Sequence, residues 1–190
     1  MSIFLRKAWH LLGLVFVAPY FFGWLGKKGT LAFVGAVLVI AGVLEVARFL
    51  YPPASRAFAA TFRVLLRREE YGAVNATLPY LAATFATVLL YPRVVAGVAV
   101  AYLAVGDVAA ELVGRALGGP RLWRRKTLAG TSACLASCFL LGAFVFPWPA
   151  ALAGAAVAAL AELLSPGAAD NFTIPLAAGA VLWLAAGPLA

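Results

Sequence analysis

Long apolar runs leave this chain little choice of solvent. Segments at 8–25, 29–50, 72–91, 94–117, 128–147, 150–164 and 172–189 are each dominated by aliphatic, aromatic and small residues. An α-helix rises about 1.5 Å per residue, so roughly 20 such residues cross a hydrocarbon core about 30 Å thick with their backbone hydrogen bonds satisfied internally. Only 12% of the residues are charged, and the mean hydropathy is +0.99, too little polar surface to coat a soluble globule. The alternation of polar and apolar residues that marks membrane strands is absent. The expected fold is an all-α integral membrane protein, a single polytopic domain over 1–190 with about seven transmembrane helices. The sixth run, between Pro149 and Pro166, is short for a full crossing, and Pro175 marks a point where the seventh can break. The start, MSIFLRKAWHLLGLVFVAPY, has the basic flank and apolar run of a secretory signal. No small-x-small cleavage site follows, so a retained first helix is expected.

Charge sets the orientation. With a cytoplasmic N-terminus, twelve Lys and Arg fall on that side, against Lys27, Lys28 and Arg93 on the other. The net charge of +8 therefore sits in short loops beside the membrane, where it meets anionic headgroups or a phosphorylated substrate rather than nucleic acid.

The acids carry more information, because there are only seven: Glu45, Glu69, Glu70, Asp107, Glu111, Glu162 and Asp170. The same topology puts all of them at the cytoplasmic face. An ionised carboxylate inside a bilayer costs on the order of 2.5–3.5 kcal/mol unless it finds a partner or water. Asp107 and Glu111, in GDVAAELVGRALGG, share one helical face at i and i+4, where like charges repel. A bridge from Glu111 to Arg115 answers half of this problem. A divalent cation held by both carboxylates, beside basic residues and glycine backbone open to phosphates, answers more of it.

Other residues have two readings each. Gly114, Gly118 and Gly130 either cradle phosphates or allow tight helix packing. Thr127 and Thr131 either bind phosphate or cap the fifth helix, and Asp170 and Asn171 either cap the last helix or serve a site, Asp170 as a metal ligand. Glu45 and Arg48, at i and i+3, suit an ion pair. His10, the only histidine, stands one turn after Arg6. Residues 52–70 alternate apolar and arginine positions as an amphipathic surface helix does. Cys134 and Cys138, one turn apart in an apolar helix, suit packing, and no P-loop is present.

Six ordered pieces resemble one family. Arg6, Lys7 and His10 come first, then Glu45 with Arg48, then Arg67 with Glu70. Gly106, Asp107, Ala110, Gly114, Arg115 and Gly118 follow, then KTLAGT from Lys126 to Thr131, then Glu162 with DNFTIPL from Asp170. Together they resemble the membrane lipid kinases that include dolichol kinase, phytol kinase and CTP-dependent diacylglycerol kinase. The resemblance implies transfer of the γ-phosphate of CTP to a lipid alcohol at the cytosolic face, with Mg2+ or another divalent cation. It puts KTLAGT in the nucleotide site, although Ala129 stands where the family commonly has glutamate.

Phosphoryl transfer needs positioning and charge stabilisation more than covalent chemistry. On that basis Asp107 and Lys126 are expected catalytic residues, and the resemblance implies His10 as a third. Arg115, Gly114, Gly118, Lys126, Thr127, Gly130 and Thr131 are expected at the nucleotide, and Asp107, Glu111 and Asp170 at the metal. Lys7, Glu45, Arg48, Glu70, Glu162 and Asn171 complete the candidate set. A membrane cytidylyltransferase, making CDP-lipid from CTP and a lipid phosphate, shares the Gly-Asp pair and Lys-Thr segment but lacks here a second acidic motif near the C-terminus. A transporter would call for ionisable residues at the bilayer midplane. Neither the lipid nor the oligomeric state is readable from the sequence.

Overall fold

The computed structural model describes residues 3–62, 74–166 and 169–187. Glu69, Glu70 and the arginines at 63, 67 and 68 lie outside the described residues, as does the second half of the expected surface helix. Ten helices occur among the described residues: α1 (Ile3–Leu12), α2 (Ala18–Phe21), α3 (Lys27–Leu50), α4 (Pro52–Phe62), α5 (Thr77–Leu90), α6 (Arg93–Ala101), α7 (Asp107–Leu117), α8 (Leu128–Ala143), α9 (Trp148–Leu164) and α10 (Asp170–Ala186). A small antiparallel hairpin, β1 (Arg121–Trp123) and β2 (Lys126–Thr127), separates α7 from α8.

Among the described residues, two helical runs are long and apolar enough to cross a bilayer. One is α3, of 24 residues, and the other is Arg93–Leu117, of 25 residues, in which α6 and α7 are joined by a π-helical turn over Tyr102–Gly106. They play opposite parts. Only 17% of the most apolar stretch of α3 is buried, and Val39, Ile40, Val43, Leu44, Phe49 and Leu50 face outward, as a lipid-facing helix requires. The second run is 61% buried and forms the middle of the bundle.

The remaining apolar segments form shorter helices than a simple seven-crossing scheme expects. Helices α5, α8, α9 and α10 have 14, 16, 17 and 17 residues. At about 1.5 Å per residue even the longest spans only about 26 Å, short of a hydrocarbon core about 30 Å thick. The expected first span, 8–25, is broken by a 3-10 turn over Gly13–Phe16 and restarts at Ala18, with Pro19 in its first turn. Conversely, the expected break at Pro175 does not occur: α10 runs through it. Pro175 is buried in the bundle, and next to it Tyr91 Oη donates to the Leu176 carbonyl at 2.7 Å, so tertiary packing holds α10 at this point.

The core lies where α9 packs against α8 and α10. Helix α9 offers Ala150, Ala151, Gly154, Ala155, Ala158 and Ala159 to its neighbours, and such small side chains let helix backbones approach closely. Tyr102, Leu103, Ile174 and Leu182 fill the space this leaves. The polar ends of α1, α7, α9 and α10 and the hairpin then meet at one end of the bundle.

Candidate active site

Helix α1 brings Lys7 against the acidic face of α7. Lys7 Nζ lies 2.6 Å from Asp107 Oδ2 and 2.7 Å from Glu111 Oε2, and the lysine is 4% exposed. One ammonium thus answers both carboxylates that the i, i+4 spacing sets in mutual repulsion. Glu111 also pairs with Arg115 at 2.8 Å, through a guanidinium that is 67% exposed. His10, one turn along α1, places Nε2 3.8 Å from Asp107 Oδ2 and packs its ring edge-on to Tyr80.

The hairpin brings up a second cation. Lys126 donates to Glu162 at the end of α9 and lies 3.6 Å from Asp170 Oδ2 at the start of α10. The Glu162 side chain is 3% exposed, so without Lys126 it would be a nearly bare charge in the bundle. Burial pushes the Lys126 ammonium toward deprotonation. The bond to Glu162 and the charges of Glu162, Asp170 and Asp107 outweigh burial and hold its pKa above the ordinary 10.5. Because Asp107 contributes to that balance, the Lys7 and Lys126 clusters act as one electrostatic site.

The remaining candidates divide. Asp170 Oδ1 accepts from the Asn171 N–H at 2.9 Å, and the residue at the cap position is Ala169, so the capping reading of the Asp170 and Asn171 side chains gives way to a bond inside the first turn. Asn171 Nδ2 donates to the Ala76 carbonyl at 3.3 Å, tying α10 to the entry of α5. Glu45 pairs with Arg48 as the i, i+3 spacing suggests, and Glu45 Oε1 also accepts from the Asn75 N–H at 2.7 Å. The Arg48 guanidinium lies over the rings of Phe49 and Phe58. This pair fastens α3 to α4 and to the loop before α5. Glu70 lies outside the described residues.

The glycine and threonine readings also separate. A Cβ on Gly130 would come 2.7 Å from the Ala110 carbonyl, and one on Gly114 would come 2.9 Å from Thr127 Oγ1, so both glycines let α7 and α8 touch. Gly118 ends α7 at φ +64° with open space beside it, a backbone state that glycine alone adopts without strain. Thr127 caps α8, its Oγ1 accepting from the Gly130 N–H at 3.2 Å, whereas Thr131 Oγ1 is buried with no hydrogen-bond partner among the described residues. Cys134 and Cys138 are free, buried and packed against Gly106.

No group of three or more His, Cys, Asp or Glu side chains poised for a metal occurs among the described residues. Asp107 and Glu111 share Lys7 rather than forming a cage with Asp170. That donor set still suits Mg2+, which is ordinarily held by one or two carboxylates with water and substrate phosphates completing its shell.

Three features escape a linear reading: the Lys7 bridge, the Lys126–Glu162 pair and the hairpin that delivers Lys126. A lysine and several acids scattered through apolar runs must find partners, and that requirement is the signal that points to both pairings.

The described geometry can be set beside known proteins. The chain is 27% identical over 165 residues to CTP-dependent diacylglycerol kinase 1 of Schizosaccharomyces pombe, with 74% of this chain and 73% of that protein covered. No family description matches the chain, and no solved structure matches it either.

Proposed function

We propose that this chain, 27% identical to a CTP-dependent diacylglycerol kinase, is a lipid phosphotransferase that moves the γ-phosphate of CTP onto the hydroxyl of a membrane lipid alcohol. Diacylglycerol, a polyprenol such as dolichol, and phytol are the candidate acceptors. The observation that carries this reading is the convergence of Lys7, His10, Asp107, Glu111 and Lys126 at one end of an apolar helical bundle. A site of that kind lets a polar triphosphate meet a hydroxyl whose tail stays in lipid.

The reaction forms a bond from the lipid oxygen to the γ-phosphorus and breaks the bond from that phosphorus to the β–γ bridging oxygen, releasing CDP. Asp107, with His10 beside it, receives the hydroxyl proton. Lys126 braces phosphate oxygens, and Arg115, exposed one turn beyond Glu111, reaches toward the nucleotide. The open backbone at Gly118 admits phosphate at close range, with Thr127, Thr131, Gly114 and Gly130 shaping the wall behind it. Lys7 offsets the mutual repulsion of Asp107 and Glu111 and holds them adjacent. Mg2+, held by Asp107 with Glu111 and Asp170 at hand, would neutralise phosphate charge. On this reading the seven apolar runs cross with the N-terminus inside, the short ones with local thinning of the bilayer, so that the site opens to the cytoplasm, as the arginine and lysine distribution favours.

The test is transfer of label from γ-labelled CTP, with ATP in parallel, by purified protein with magnesium. Diacylglycerol, a polyprenol and phytol are offered in turn, with Asp107→Asn as control. Label in one lipid, lost in the control, supports the kinase. CDP-lipid made from phosphatidic acid and α-labelled CTP, without transfer to any alcohol, overturns it in favour of a cytidylyltransferase.

A further inference from the structure

An apolar groove of about 330 Å³ lies beside the charged cluster, further along the same helices. Leu14, Val17 and Phe21 form one wall, Val98 and Ala101 of α6 form the floor, and Leu141 near the end of α8 forms the other wall. Leu14 follows His10 by one turn. Ala101 and Val98 precede Asp107 by six and nine residues on the same continuous helical run, about 9 and 14 Å at a helical rise of about 1.5 Å per residue. The groove therefore begins near the carboxylates and leads away from them along the bundle.

Three properties of this groove fit one occupant. Its lining is apolar throughout, it is built on the same N-terminal segment and α6–α7 run that carry Lys7, His10 and Asp107, and it is small. A groove of that size, open along one side, suits a single hydrocarbon chain. We propose that the groove binds one hydrocarbon chain of the lipid alcohol whose hydroxyl sits at Asp107, and that Ala101 and Leu141 set how much chain is recognised. The inference rests on the kinase reading for the identity of the headgroup, and on the groove itself for the tail. A second chain, where the alcohol carries one, stays in the bilayer.

The break between α1 and α2 has a role in this arrangement. The 3-10 turn over Gly13–Phe16 redirects the chain, so that Leu14, Val17 and Phe21 line the groove although Lys7 and His10 on α1 face the carboxylates. The same segment thus contributes to headgroup and tail.

The test is the chain-length dependence of phosphorylation for a series of alcohols that share one headgroup. In the wild-type protein kcat/KM rises with chain length and then levels off once the groove is full. Ala101→Phe fills the floor and Leu141→Trp the wall, and each lowers the ratio of long-chain to short-chain kcat/KM by about tenfold. An unchanged ratio in both variants overturns the proposal, since lipid merely lining the protein surface would not sense either residue. A second readout needs neither turnover nor a substituted protein. A long-chain alcohol with a diazirine at the end of its tail is photolysed with the wild-type protein, and the labelled peptides are sequenced. Label in 14–22, 97–101 and 141–145 supports the groove, whereas label confined to the outward face of α3 overturns it. Should no alcohol be phosphorylated, the kinase reading fails, and the crosslink still decides whether the groove holds a chain.

Discussion

Lys7 and Asp107 stand 100 positions apart in the chain and 2.6 Å apart in the fold. The contact joins the first helix to the central one, and it does so through a charge that has little access to water. Glu111 shares the same ammonium at 2.7 Å. The first prediction follows from this sharing. Lys7→Met leaves two carboxylates one turn apart with the buried cation gone, a change that typically costs about 3–5 kcal/mol when one partner of a buried pair is removed. The unfolding midpoint in detergent should fall markedly, with a smaller fall for Lys7→Arg. An unchanged midpoint in Lys7→Met would mean that the bridge contributes nothing.

Asp107 and Glu111 should not be equivalent. Asp107 faces both Lys7 and His10, whereas Glu111 divides its charge between Lys7 and the exposed Arg115. Asp107→Asn is expected to lower kcat by about 100-fold or more, in the range typical for loss of a positioned general base. Glu111→Gln should cost less and should show itself as a higher magnesium requirement. Titrating magnesium against both variants separates the two roles.

Lys126 and Glu162 form a pair that is safer removed together than apart. Lys126→Met strands the Glu162 carboxylate, and the double variant with Glu162→Gln should recover much of the lost stability, a coupling that a double-mutant cycle measures directly. The pH dependence has a definite sign. Since the folded protein holds the Lys126 pKa above 10.5, its contribution is fully present below about pH 10.5 and is lost as pH rises through the folded value. Stability between pH 7 and pH 9 should therefore not decline on account of this residue, and the wild-type and double-variant curves should run parallel there.

The contact of α7 with α8 depends on the absence of two side chains. Gly130→Ala drives a methyl against the Ala110 carbonyl, and overpacking of this kind costs about 1–3 kcal/mol. Gly42→Ala in α3, where nothing lies within 4 Å, should instead be stabilising by about 0.5–1 kcal/mol through helix propensity alone. Paired unfolding measurements on the two variants read the difference. Equal effects would show that α7 and α8 do not touch at Gly130.

Several local pairings of the charged cluster are legible without a fold, because charge is expensive in apolar surroundings. The Asp107, Glu111, Arg115 face, the Glu45–Arg48 pair and the cap by Thr127 follow from local spacing, and all three occur. What spacing does not contain is which helix lies beside which. Lys7 meets Asp107, and Lys126 meets Glu162, through tertiary packing alone. Helix ends were misjudged for a related reason. Hydropathy continues through Phe144 and Phe146, but backbone geometry ends α8 at Ala143. Pro175, a local signal for a break, yields to the packing around α10.

The π-helical turn before Asp107 acts as a phase setting. It holds an extra residue's worth of chain in the middle of an otherwise regular rod, so everything after it is rotated relative to everything before it. Shortening that turn by one residue would swing Asp107, Glu111 and Arg115 by about 100° around the helix axis. Hydropathy, net charge and every motif downstream would be unaltered, yet the carboxylates would point away from Lys7. Two chains with the same motifs can therefore differ in whether the motifs face one another, and the residues that decide it, Tyr102 to Gly106, carry no charge at all.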